Sequence, residues 1–165
     1  MKPFGRLLVL MMLMGMMGQT VFAKETVDPI LTAPRKAHKI LRSMEGNWSY
    51  SVKSWTSADA EPILSSGQSS NKMILGGRFL RQVLSGTQFG QPFVGTRITG
   101  YDNIAEEYQT FLVDNSGTRT LFMKGAYDSV SKTLKVAGEI SLPATGEAGR
   151  KARAETHFIN EDSYS

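Results

Sequence analysis

The sequence predicts an all-β domain: an antiparallel up-and-down barrel of about eight strands, preceded by a short helix. Turn signals rich in Gly, Asn, Asp and Ser recur at spacings of about 8–13 residues, which is typical of antiparallel sandwiches and barrels. No helical stretch of any length separates the segments from Gly46 to Asn160, and this excludes a βαβ architecture. Such a meander closes most simply into a small barrel, whose function depends on what fills its lumen.

Residues 1–23 have the pattern of a signal peptide. Lys2 and Arg6 form a positive n-region, Leu7–Met17 is almost wholly apolar, and Val21–Ala23 has residue types that precede a cleavage site. The apolar run is about 11 residues long, whereas a bilayer span needs about 20. We therefore expect no stable membrane span, but export to the periplasm or the extracellular space of a bacterium, with cleavage near Ala23.

The charge balance of the expected mature chain argues against nucleic acid as a partner. Loss of Lys2 and Arg6 lowers the basic count from 19 to 17 against 15 acidic residues, a net charge of +2. Nucleic-acid binding requires clustered basic residues over a much larger surface. The chain has no cysteine, so it has neither disulfides nor a lipid-modified N-terminal Cys, and this suits a bacterial periplasmic domain.

Residues 24–45 form an N-terminal segment with one short helix. Apolar residues recur at roughly helical spacing over Pro29–Met44, and Pro34 marks a break near the start. The basic residues of this segment cluster on the helix candidate: Arg35, Lys36, Lys39 and Arg42. Two interpretations stay open, a solvated helix face and a contact with anionic lipid.

The barrel domain is predicted to span residues 46–165. Its predicted strands are Trp48–Trp55, Gly67–Leu75, Arg78–Ser85, Phe93–Tyr101, Tyr108–Asp114, Thr120–Tyr127, Thr133–Leu142 and Ala152–Ile159. Gly76-Gly77 indicates a tight turn, and Gly90 supplies a positive φ to the next hairpin. Asp102 and Asp128 each follow a Tyr at a strand end, where an Asp carboxylate accepts hydrogen bonds from the backbone of the turn.

Several of these stretches resemble a known family. A short helix leading into Gly46–Trp48 resembles the start of lipocalin-type barrels of the calycin superfamily, in which the Trp plugs the barrel floor. Leu41–Trp48, Lys72–Phe79 and Gly90–Asn103 are similar to a bacterial family known only as domain of unknown function fifteen-seventy-nine. The resemblance covers about residues 36–160. It implies a lipocalin-like calycin barrel with no assigned chemistry, so it leaves the function open.

The sequence departs from that family at its end. Family members usually continue past the position of Ser165 with two more strands, about ten in all, whereas Glu161–Ser165 reads as the turn after strand eight. Eight strands can close a barrel. Alternatively, strands one and eight remain open edges through which chains can form oligomers. Edge-tolerant residues such as Ser49, Lys53 and Arg153 favour the open form.

The sequence indicates no catalytic residues, no metal site and no cofactor. Only His38 and His157 are available as nitrogen ligands, and both are predicted to lie on the surface. A Gly-x-Ser-x-Gly elbow is missing, and no strand–turn–helix unit exists to hold one. Glu106-Glu107 falls in a predicted hairpin turn, where solvated carboxylates are expected. An enzyme is therefore the weakest of the functional hypotheses.

The inward face of the barrel is the best candidate for a ligand site. Residues of strand one on one side include Trp48 and Tyr50, and the resemblance to calycin barrels places Arg78 near the floor. There Arg78 would either stack on Trp48 as a cation–π pair or bind the head of an anionic ligand. With Tyr101 and Phe111, these residues are the predicted ligand-binding set. Strand parity alone does not decide which way Arg97 points.

Two functions follow from this interpretation. The first is a binding module that holds a small, mostly apolar ligand in the lumen. The second is a non-catalytic structural or interaction protein of the bacterial envelope, with a packed barrel. Small inward residues would favour an open lumen, and Gly95, Gly125 and Gly138 are the candidates.

Overall fold

The computed structural model describes residues 28–54, 59, 61–142 and 145–165. The predicted signal peptide and Trp55 lie outside the described residues. The described residues form one antiparallel sheet of nine strands in sequence order, curled into a half-barrel, which confirms the predicted fold class. The strands are β1 (Gly46–Ser54), β2 (Ile63–Ile74), β3 (Phe79–Gln88), β4 (Gln91–Asp102), β5 (Glu107–Asp114), β6 (Leu121–Asp128), β7 (Thr133–Leu142), β8 (Glu147–Asn160) and β9 (Ser163–Tyr164).

The main differences from the prediction lie at strand ends. β8 begins at Glu147, before the predicted start at Ala152, because pairing with β7 continues to Leu142. The β3–β4 connection is a tight turn of Phe89 and Gly90 with φ of 51° and 76°, shorter than the predicted loop. β9 forms where only a turn was predicted. Partner strands supply the hydrogen bonds that extend these strands, and such pairing overrides local propensity.

Among the described residues, two short helices precede the sheet, α1 (Pro29–Thr32) and α2 (Lys36–Arg42). The break lies at Ala33-Pro34, as predicted, because a residue before proline prefers extended backbone and Ala33 has a ψ of 151°. No helix in the described part of the chain is long and apolar enough to cross a membrane.

The apolar core lies at one end of the concave face, where α2 packs against β3 and β4. Leu41 of α2 and Leu80 of β3 are fully buried. The Tyr108 hydroxyl donates a hydrogen bond of 2.8 Å to the carbonyl oxygen of Ala37. The core cluster comprises Leu41, Met44, Leu80, Tyr108 and Leu134. Because α2 covers only this end, the rest of the concave face stays uncovered by it.

Asp102 and Asp128 accept hydrogen bonds from the backbone of their turns, as predicted. Asp102 Oδ1 accepts a hydrogen bond of 2.8 Å from the amide of Ile104, and Asp128 Oδ1 accepts one of 2.9 Å from the amide of Val130. Hydrogen bonds from backbone amides lower the pKa of the Asp102 carboxyl. The pKa of the Asp128 carboxyl is lowered by hydrogen bonds from the Ser131 hydroxyl and from backbone amides. Both residues are structural.

The sheet is open between its first and last strands. β1 pairs with β2, β8 pairs with β7 and β9, and no backbone pairing joins β1 to β8 or β9 within the described ranges. Side chains bridge the gap at one point, where the rings of Trp48 and Tyr164 pack edge to face with centroids 4.7 Å apart. The open form that the edge residues favoured is therefore the observed one.

Candidate functional site

The concave face contains a cavity of about 590 Å³. Its walls come from β1 to β5, from Arg119 and from residues 162–165 around β9. Strand alternation points every second side chain of β1 to β5 into this space, so the curl of the sheet gathers residues distant in sequence. The cavity lies beyond the helix-covered core, towards the open side of the half-barrel.

Four aromatic residues, Trp48, Tyr50, Phe93 and Tyr164, form the aromatic wall of this cavity. Trp48 is held at both ends of its ring system. Its indole N–H donates a hydrogen bond of 2.9 Å to the carbonyl oxygen of Met44, and its ring packs on Tyr164. A wall of this kind presents flat apolar surfaces of limited mobility, which suits an apolar ligand body.

Two glycines make room for Tyr50. Gly67 and Gly86 lie next to each other in register on β2 and β3, and the Tyr50 side chain crosses them to place its hydroxyl 3.3 Å from the carbonyl oxygen of Ser85. A Cβ at Gly86 would lie 2.9 Å from that hydroxyl, and one at Gly67 would be closer still. Burial raises the pKa of Tyr50, so the wall is uncharged at neutral pH.

A row of polar side chains crosses the concave face beside the aromatic wall. Asn71, Gln82 and Arg97 are opposite one another in register on β2, β3 and β4, and we call them the polar row. The Asn71 amide donates 2.8 Å to the carbonyl oxygen of Met44. Within the described chain, neither the Gln82 amide nor the Arg97 guanidinium has a protein hydrogen-bond partner, and both side chains line the cavity. Burial lowers the pKa of Arg97, while Tyr164 opposes that shift.

A second charged group in the lining is already paired. Arg119 Nη2 lies 3.6 Å from Asp114 Oδ2, and the Asp114 side chain is only 8% exposed. Asp114 also accepts a hydrogen bond of 2.8 Å from the amide of Ser116. This pair contributes no net charge, so Arg97 supplies the positive charge inside the cavity.

A smaller cavity of about 70 Å³ adjoins the polar row on its core side. Gln82, Arg97, Leu112 and Tyr164 line both cavities, so they stand at the boundary between them. Beyond them, the hydroxyls of Thr99 and Thr110 bond each other at 2.8 Å. Arg97 is therefore at the deep end of the larger cavity.

The structure brings together two of the five residues predicted to bind ligand. Trp48 and Tyr50 line the large cavity. Tyr101 lies under α2, where it packs on Tyr108 with ring centroids 4.9 Å apart and borders a separate groove of about 290 Å³. Phe111 is 41% exposed and projects from the convex face, because residues of β5 with its parity, unlike Leu112, point away from the cavity.

Arg78 lies outside the cavity as well. Its Nε donates 3.0 Å to the carbonyl oxygen of Thr32, and its Nη1 donates 3.1 Å to that of Leu75. The side chain therefore ties the end of α1 to the β2–β3 turn. The ring of Trp48 packs on Tyr164 instead of on a guanidinium.

Sequence reasoning missed the polar row and half of the aromatic wall. Phe93, Gln82 and Arg97 have the parity that faces the cavity, but parity becomes informative only once one inward residue of each strand is known. The sequence predicts a turn at Tyr164, and nothing in it places this residue against Trp48. The glycines Gly125 and Gly138 are inward as expected, but neighbouring strands leave no room there for a Cβ.

The prediction that His38 lies on the surface is wrong. His38 is 5% exposed, its Nδ1 accepts a hydrogen bond of 2.9 Å from the amide of Arg35, and its ring packs edge to face on Tyr101. Burial lowers the pKa of His38, so it is neutral at pH 7. His157 is exposed, as predicted. Within the part of the chain that the structure describes, no three His, Asp or Glu residues come together as a metal site.

Residues 33–165 match the profile of a family described as "Protein of unknown function (DUF1579)". The chain belongs to this family. No curated protein and no solved structure matches the chain. Membership in DUF1579 agrees with the resemblance seen in Leu41–Trp48, Lys72–Phe79 and Gly90–Asn103, and the lipocalin-like superfamily is consistent with the curled antiparallel sheet.

Proposed function

We propose that this DUF1579 protein is an exported binding protein that holds a small ligand with a mostly apolar body in the concave cavity. The observation that carries the proposal is the cavity itself. Its volume of about 590 Å³ falls within the range of about 300–1,000 Å³ that is common for small-molecule sites. Its lining joins an aromatic wall to a few polar groups, the combination that such sites use for affinity and orientation.

The aromatic wall is large enough to give useful affinity. Burial of about 250 Å² of apolar ligand surface contributes roughly 6 kcal/mol before the entropy losses of binding. Trp48 and Tyr50 are fixed by hydrogen bonds to Met44 and Ser85, so little side-chain entropy is lost when a ligand packs on them.

Binding is tested by native mass spectrometry of protein purified without refolding. We expect a retained small molecule on the natural protein and a loss of it in Tyr50→Ala, which removes one face of the aromatic wall. Phe122→Ala, on the convex face and 49% exposed, is the matched control and should retain the ligand. The binding proposal fails if Tyr50→Ala and Phe122→Ala retain equal amounts of the same molecule.

The export part of the proposal rests on the charged, apolar and small-residue regions of residues 1–23. Expression in a Gram-negative host and fractionation should place the protein in the periplasm, with Lys24 as its first residue on N-terminal sequencing. An intact Met1 on protein recovered from the envelope would contradict the proposal.

A second candidate function, an interaction protein, is favoured by one observation. The convex face has a patch of exposed apolar side chains on neighbouring strands, with Phe111 directly opposite Phe122 in register. The patch consists of Val83, Val94, Phe111, Val113 and Phe122. Contiguous exposed apolar surface often marks a protein contact. Sedimentation velocity over a concentration series tests self-association, which Phe111→Ser should weaken and Tyr50→Ala should not.

A further inference from the structure

Within the described ranges, the Arg97 side chain is a half-buried cation without a protein counter-ion. The four ion pairs within the described ranges join other residues, and no hydrogen bond from Arg97 to another protein group is present there. β4 supplies Arg97 from the middle of the sheet, between Gln82 on β3 and Leu112 on β5. Its side chain is half-buried, and its free surface faces the cavity. Even a partly buried charge without a partner costs stability, so packing alone is a poor explanation for it.

Gln82 adds a second unused polar group at the same place. The residue is 4% exposed, lies directly opposite Arg97 in register, and its side-chain amide has no protein hydrogen-bond partner among the described residues. A guanidinium presents parallel N–H donors that match two oxygens in one plane, and an amide N–H can add a third donor. Together they form a cradle for a planar anion at the deep end of the cavity.

The surrounding charges indicate how much negative charge this cradle can hold. The Arg119–Asp114 pair is internally balanced at 3.6 Å, and Asp162, at the exposed rim, adds negative charge to the lining. One unpaired guanidinium among these groups fits a single negative charge. The aromatic wall begins next to it, since Tyr164 lines both the large cavity and the boundary at Arg97.

We propose that Arg97 and Gln82 bind the carboxylate of an amphipathic ligand whose apolar body packs on the aromatic wall. This inference rests on the proposed function, because it assigns the head group of the ligand that the cavity holds. Arg97 is oriented so that the carboxylate lies at the boundary of the two cavities, and the ligand tail extends past Tyr164 towards Trp48 and Tyr50.

The test uses octanoate and 1-octanol as probes, which share a tail and differ in the charge of the head group. Isothermal titration calorimetry on the full chain should show octanoate binding at least tenfold more tightly than octanol. Arg97→Met should weaken octanoate binding by roughly 10- to 100-fold, the range for a hydrogen-bonded charge, and leave octanol binding within about twofold. Arg81→Met, an exposed arginine one position before Gln82, should change neither.

The outcomes separate this inference from the proposed function. Equal affinity for both probes, unchanged by Arg97→Met, would overturn the carboxylate assignment and leave cavity binding standing. If neither probe binds the natural protein, both proposals fail. Octyl phosphate carries more charge on the same tail, and if it binds more tightly than octanoate, the carboxylate assignment is wrong.

A second measurement covers the case in which a variant folds poorly. If Arg97 serves ligand binding and not stability, Arg97→Met should raise the melting temperature of the ligand-free protein, because it removes an unpaired, partly buried cation. Octanoate should raise the melting temperature of the natural protein and of Arg81→Met, but not of Arg97→Met. A lower melting temperature for ligand-free Arg97→Met would assign Arg97 a structural role and contradict the inference.

Discussion

The carbonyl oxygen of Met44 joins the end of the helical segment to the first two strands. It accepts hydrogen bonds of 2.9 Å from the Trp48 indole and 2.8 Å from the Asn71 amide. The Ser69 hydroxyl in turn donates to Asn71 Oδ1. Asn71 is 4% exposed, so this network satisfies a polar side chain that would otherwise be costly to bury. It also sets the orientation of Trp48 at the cavity.

The first prediction concerns Trp48. Because one part of its ring faces the cavity, Trp48→Ala should lower the free energy of unfolding by about 2–3 kcal/mol, less than the 3–5 kcal/mol typical of a fully buried Trp. Trp48→Phe keeps most of the contact with Tyr164 and loses the bond to Met44, so it should cost about 1 kcal/mol. Urea denaturation measures both. Equal losses for the two variants would show that ring packing contributes nothing.

Tyr108 leads to a prediction at alkaline pH. Burial in the core, together with Tyr101 and Tyr127, raises its pKa to about 12 from an ordinary value of 10. The folded state therefore holds this proton more tightly than the unfolded state does. Its contribution to stability is complete below pH 10 and is lost as pH rises from 10 towards 12.

The measurement is urea denaturation at a series of pH values, for the natural protein and for Tyr108→Phe. We expect the stability of the natural protein to fall more steeply than that of the variant between about pH 10 and 12. Parallel curves would contradict the raised pKa. Tyr108→Phe also loses the hydrogen bond to Ala37, so only the difference in slope, not the offset, tests the prediction.

At the scale of elements, the two edges of the sheet differ from its centre. β4 pairs with β3 and β5 on its two sides, whereas β1 pairs only with β2 in the described part of the sheet. Edge strands leave a row of N–H and C=O groups free to pair with another chain. The residues of β1 that alternate with Trp48 and Tyr50 include Ser49 and Lys53, and polar edges of this kind reduce uncontrolled association.

Hydrogen exchange tests this difference. In a dilute monomer, the amides of β4 should exchange slowly throughout, while the amides of β1 that point away from β2 should exchange quickly. In β8, the amides that point away from β7 should also exchange quickly, except near Phe158, where β9 pairs. Slow exchange along both edges in the monomer would mean that the strands pair in solution. Protection that appears only at high concentration would indicate oligomers formed through the edges.

At the scale of the whole molecule, the buried apolar side chains are concentrated at the α2 end. Leu80 is 0% exposed in that core, whereas Val83, only three residues along the same strand, is 39% exposed on the convex face. This division leaves the opposite end of the concave face free for the cavity. The residues of the apolar core and those that line the cavity therefore lie mainly in separate regions of one sheet.

That separation predicts unequal effects of similar substitutions. Leu80→Ala should lower the free energy of unfolding by about 2–5 kcal/mol, the usual range for a buried Leu. Val83→Ala should change it by less than about 1 kcal/mol, because the side chain is already half in water. Thermal and urea denaturation measure both. A large loss in Val83→Ala would show that the convex face is covered in solution.

The order and type of the elements could be predicted from the sequence because they depend on local signals. Each of these signals depends only on residues that are close in the sequence. They are the alternation of side chains in the strands, the helix break at Pro34, and the turn residues Asp102 and Asp128. The family resemblance could also be recognised from the sequence alone, in Lys72–Phe79 and Gly90–Asn103. The short β9 was not, because two residues have no periodicity of their own, and only pairing with β8 defines them.

In contrast, tertiary structure determines which side chains line the cavity. Strand parity gives two sets of side chains, and only the curl of the sheet selects which set faces inward, so Phe111 lies outside and Arg97 inside. The sequence alone predicts that His38 is an exposed polar residue of the helix, but in the structure its ring packs against Tyr101. The contact of Tyr164 with Trp48 joins residues from opposite ends of the sheet, and no local signal encodes it. Local backbone preferences suffice to specify a meander of antiparallel strands, so that part of the fold follows from the sequence. The cavity arose from long-range packing.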